Sequence, residues 1–61
     1  MSNKQELARS YRFRAEELRT IAEMDHETDN RRILMDIAND YERMAATFDA
    51  IDQTNKVLGR D

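Results

Sequence analysis

Apolar residues along this chain return at helical spacing: Leu7, Ala8, Tyr11, Ala15, Leu18, Ile21 and Ala22. After a polar interval the pattern resumes more regularly, and Leu34, Ile37, Tyr41, Met44, Phe48 and Ile51 alternate steps of three and four. That alternation is the a/d seam of a heptad repeat, flanked by Ile33, Ala38 and Ala45. Ile21 and Leu34 lie thirteen positions apart, one short of two heptads, so the two seams would not line up along one continuous rod. Between them, residues 22–33 offer only Met24 as a large apolar side chain before Ile33. The pattern predicts an all-α fold: an antiparallel helical hairpin with helices over about residues 3–25 and 29–58 and a short turn between them, in a single domain spanning 1–61.

The ends carry matching signals. Ser2 with Gln5, or Asn3 with Glu6, has capping-box spacing. Thr28, Asp29 and Asn30 suit the start of the second helix, and Gly59 stands just past Leu58, where a left-handed residue ends a helix. An antiparallel register follows from the large residues. Leu7 with Phe48, Tyr11 with Met44, Leu18 with Ile37 and Ile21 with Leu34 all have positions adding to 55, with Arg14 and Tyr41 in the middle layer. Arg9, Arg12 and Arg14 then come opposite the neighbourhood of Asp40, Glu42 and Asp49. Alanine also recurs every seventh residue, at 8, 15 and 22 and again at 38 and 45, which lets two helices approach toward the ~8 Å end of the usual range. An offset of thirty superposes the two halves, Leu7 on Ile37 and Tyr11 on Tyr41, as one heptad grammar written twice.

Composition narrows the chemistry. A chain of 61 residues struggles to bury enough apolar surface alone, and usually leans on disulfides, metal or partner chains. It has no Cys, which excludes disulfides, thiolate ligands and a Cys nucleophile, and one His cannot make a His-rich zinc site. Self-association is the remaining source of burial, and its simplest closed form is a two-fold dimer of hairpins, a four-helix bundle. The net charge of −3 argues against broad non-specific nucleic-acid binding. No apolar run approaches a membrane span, and MSNKQELARS lacks the apolar stretch of a signal peptide, so the expectation is a cytoplasmic protein with no membrane partner.

The stretches YRFRAEELRTIAE and RRILMDIANDYERMA resemble a group of short alphaproteobacterial proteins that share a Y-R-x-R-A-E-x-L-R core and an R-x-x-L-x-x-I-A-x-D-Y-E-R-x-A core. The resemblance covers about residues 11–45. It implies a helical fold and a bacterial source, and it carries no catalytic residues or activity.

Two places invite a functional reading. The segment EMDHETDNRR, residues 23–32, surrounds His26 with Glu23, Asp25, Glu27 and Asp29. It lacks both the paired Glu-x-x-His helices of di-metal bundles and the glycine of a calcium loop, so it reads as a polar turn, with no catalytic residue, metal or cofactor expected. The second place is an interaction surface. Phe13 lies about 200° round the helix from Tyr11, between Arg12 and Arg14, where it could meet a partner or stack on RNA bases. Phe48, Ile51, Asn55 and Leu58 run along the second helix toward its overhanging end, with Asn55 at a position that can specify oligomeric state. The expected function is a non-enzymatic, self-associating protein acting through protein–protein contact, as a small regulatory or adaptor factor. The alternative is an RNA- or DNA-binding hairpin dimer using Phe13 and its flanking arginines.

Overall fold

The computed structural model describes residues 3–59. Helix α1 spans Lys4–Met24 and helix α2 spans Thr28–Val57, and they pack against each other as a helical hairpin. Both boundaries fall within one residue of the heptad reading. The apolar recurrence runs the full length of each helix, and no Gly or Pro interrupts either one.

The termini are built more simply than a capping box. Asn3 has helical dihedrals (φ −77°, ψ −8°), and its side chain makes no cap hydrogen bond. In that conformation its carbonyl accepts from the Leu7 N–H at 2.9 Å, so the Asn3–Glu6 box does not form. Ser2 lies outside the described residues. In the turn, Asp25 Oδ1 accepts from the Glu27 N–H at 2.9 Å, and extended dihedrals at Asp25 and Glu27 reverse the chain. Gly59 takes φ +74°, the left-handed conformation expected after a helix end, and its N–H donates to the Lys56 carbonyl.

The contact between the helices is an alanine ridge. Among the described residues the buried set is Ala8, Ala15, Ala22, Ala38, Ala45 and Asp52, and each helix contributes one residue every seventh position. A methyl side chain lets the two backbones close together, and the ridges interdigitate. This corrects the reading in which the large seam residues form the inner layers. Leu7, Ile21, Ile37, Met44 and Ile51 are all more than one-third exposed, while Tyr11, Leu18, Leu34, Tyr41 and Phe48 are half-buried. The axial register nevertheless stays near the expected one. Tyr11 stacks at 5.5 Å on both Tyr41 and Phe48, which lie on either side of Met44. What differs is rotation: the ridge stands one residue, about 100°, round each helix from the seam. The result is a thin rod with extents of 49 × 14 × 9 Å.

Candidate interaction surface

The rotation gives the hairpin two unlike faces. On one side of the alanine ridge, Gln5, Arg12 and Arg19 follow heptad spacing along α1, and Glu42 and Asp49 do the same along α2. These rows join across the helices. Arg19 Nη1 donates to Glu42 Oε2 at 2.8 Å, Arg12 Nη2 donates to Asp49 Oδ2, and Gln5 Nε2 donates to Asp52 Oδ2 at 3.1 Å. Asp52 continues the alanine track with a carboxylate, which also meets Lys56 Nζ at 3.3 Å. Its burial is tolerated because those donors satisfy it. Arg43 pairs with Asp40 on the outer surface of α2, so only part of the cross-helix pairing expected around Asp40, Glu42 and Asp49 is realised, and Arg14 turns to Glu17 instead.

The other side of the ridge carries the displaced seam. Tyr11, Leu18 and Ile21 from α1 meet Ile37, Tyr41, Met44 and Phe48 from α2, with both helices' large side chains leaning to the same side. Between the helices a shallow cleft of ≈ 330 Å³ is lined by Arg14, Glu17, Leu18, Ile21, Ile37 and Tyr41. A second hollow on the same face is lined by Tyr11, Ile37, Asp40, Tyr41 and Met44. The aromatic stack of Tyr41, Tyr11 and Phe48 stiffens the middle of this face, because each ring is held by its neighbour. Arg14 interrupts the middle of the α1 track, and its guanidinium reaches Glu17 at 3.5 Å.

The residues singled out from sequence separate into two groups. Phe48, Ile51, Asn55 and Leu58 lie along the apolar face and its overhang, with Leu58 and Val57 at 60% and 77% exposure beyond the start of α1. Phe13 lies on the outer surface of α1 at 62% exposure, beside Glu6, Arg9, Ser10, Arg14 and Glu17. Arg12 is not its companion, since that side chain is turned to Asp49 on α2. The residues missed as surface are Leu7, Tyr11, Leu18, Ile37, Tyr41 and Met44. Their seam spacing was plain, and it was assigned to the hairpin's interior. The alanine heptads next to the seam were the signal that could have moved them outward.

The turn places His26 in the open, in a shallow hollow with Ile21, Met24, Asp25 and Glu27. Among the described residues no three His, Asp or Glu side chains converge as a metal site, and no helix is long and apolar enough to cross a membrane. Compared with known families, curated proteins and solved structures, the chain matches no family model, no curated sequence and no solved fold.

Proposed function

We propose that this protein is a non-enzymatic helical hairpin that self-associates through its apolar face and works by protein–protein contact, as a small regulatory or adaptor factor in the cytoplasm. The observation that supports this most directly is the contrast between a buried set dominated by alanine and a wide face of half-exposed Leu, Ile, Met, Tyr and Phe. Burying five methyl groups contributes only about 4 kcal/mol at ~0.8 kcal/mol each, which is thin for a chain of this length.

Size supports the same reading. A compact monomer of 7.2 kDa has about 4,100 Å² of accessible surface, whereas this hairpin exposes 4883 Å². The excess of roughly 800 Å² is on the scale of what one protomer contributes to an interface of standard size. Its radius of gyration is 14.5 Å, against about 10.5 Å for a compact chain of 61 residues. Large apolar patches on a small protein mark interaction sites.

Sedimentation equilibrium of the unmutated protein at micromolar concentration tests the reading. The expected result is a dimer near twice the 7.2 kDa protomer mass, with Ile37→Glu shifting the species to lower mass. A stable, folded monomer across that range overturns it. For the alternative function, Phe13 keeps Arg9 and Arg14 beside it while Arg12 is drawn to Asp49, and the net charge of −3 weighs against broad nucleic-acid binding.

A further inference from the structure

From the apolar face we infer that its occupant is a second copy of the same chain, seated face to face with its turn at the opposite end of the bundle. This rests on the self-association proposed above and adds the arrangement. A face-to-face two-fold pair of hairpins has two options. The axis may run along the rod, which puts both turns at one end and sets α1 on α2. Or it may cross the rod, which puts the turns at opposite ends and sets each helix antiparallel on its own copy.

Both options match apolar layers, since the first brings Leu7, Tyr11, Leu18 and Ile21 level with Phe48, Met44, Ile37 and Leu34 of the second copy; the length of α2 favours the second. Leu34 with Ile51, Ile37 with Phe48, and Tyr41 with Met44 are symmetric about one point between Glu42 and Arg43. That point is also the midpoint of α2, Thr28–Val57. Antiparallel α2 helices crossing there match apolar residues layer by layer from Leu34 to Ile51. The overhang of α2, which α1 of its own hairpin leaves uncovered, then lies along the start of the second copy's α2. Asn55 comes level with Asn30, and exposed Val57 and Leu58 come near the turn of the second copy.

The intramolecular register carries the same axis onto α1. Tyr11 sits between Tyr41 and Phe48, so the level of Met44 is the level of Tyr11. The axis then crosses α1 between Arg12 and Phe13, which pairs Leu7 with Leu18 and Tyr11 with Arg14 of the second copy. Each arginine faces a tyrosine ring instead of its own counterpart, an arrangement that attracts through the ring's quadrupole.

The first option is weaker on charge and coverage. It would bring the turn segments 23–32 of both copies, each with four carboxylates against Arg31 and Arg32, to one end. It also leaves both overhangs off the end of the partner's α1. The excess surface of roughly 800 Å² per chain is on the scale of what one partner contributes to a standard interface.

The chain has no Cys, so His26→Cys gives a single attachment point in the exposed turn. A nitroxide there, read by double electron–electron resonance at concentrations where sedimentation gives a dimer, measures the separation of the two turns. Turns at opposite ends lie about 50 Å apart, from ~16 residues on each side of the axis at 1.5 Å per residue. Turns at the same end lie within about 25 Å, from helix spacings of 8–10 Å plus label linkers. A distance near 50 Å supports the arrangement. A short distance overturns it while leaving self-association standing. Monomeric sedimentation with no intermolecular dipolar signal overturns the self-association reading as well.

Discussion

Ala15→Leu should destabilise the hairpin although it adds apolar surface. Ala15 is 0% exposed and is the middle member of the α1 ridge. Were the added isopropyl group simply taken out of water, it would stabilise the fold by about 2 kcal/mol. The ridge offers no such room. In a helix the new side chain leans back over residues three and four positions earlier, here Arg12 and Tyr11. One direction disturbs the Arg12–Asp49 pair, and the other pushes into the Tyr11 stack on Tyr41 and Phe48. The alternative is for the helices to move apart along the ridge, losing contacts at Ala8 and Ala22 as well. Overpacking of this kind costs about 1–3 kcal/mol. Against a total of about 3–9 kcal/mol for a chain of 61 residues, that is a substantial fraction. Alanine and leucine are both strong helix formers, so backbone propensity does not mask the effect. The assay is urea and thermal unfolding followed by circular dichroism at one fixed protomer concentration, because association ties the midpoint to concentration. The midpoint temperature should fall by roughly 4–24 °C, from 4–8 °C per kcal/mol. Glu16→Leu, on the exposed neighbour, should stay within about ±0.5 kcal/mol of the parent. An Ala15→Leu protein as stable as the parent would refute close packing on the alanine ridge.

Three further outcomes follow from the same geometry. A double-mutant cycle on Arg19→Ala and Glu42→Ala should return a coupling of about 0.2–1 kcal/mol that shrinks as salt rises, because both side chains are about one-third exposed; a coupling above 2 kcal/mol would contradict a surface pair. Asp52→Ala extends the alanine ridge and releases Gln5 and Lys56 to water, so chemical unfolding should shift by less than about 1 kcal/mol; a loss beyond 3 kcal/mol would mean that the carboxylate anchors the open end. Phe13→Ala should leave unfolding within about 0.5 kcal/mol and the sedimentation profile unchanged, since its ring points off the outer surface of α1; a move toward monomer would place the interface on the wrong face.

The two helices, their limits near Lys4–Met24 and Thr28–Val57, and the turn around His26 were all legible in the heptad spacing and its thirteen-residue phase break. So was the alanine repeat. The capping box was not secure, because a box requires Asn3 to leave the helical region, and its backbone does not. Phe13 was correctly read as outward, since 200° round a helix from Tyr11 is far from any face that meets α2. Arg12 is directed elsewhere, because adjacent residues diverge by about 100° and its guanidinium finds Asp49.

By itself the sequence determined that there are two helices, that they run antiparallel, and roughly which residues share a level. Only the tertiary structure decided which of two parallel heptad tracks the helices turn toward each other. The large seam and the alanine track have the same period and differ by one residue, so periodicity is silent between them. Close approach selects the alanines, since only methyl side chains let the backbones meet. Arg12, Arg19, Glu42 and Asp49 then lock one flank with cross-helix pairs. The large apolar side chains are turned out onto the other flank, and that displacement makes them a surface instead of a core.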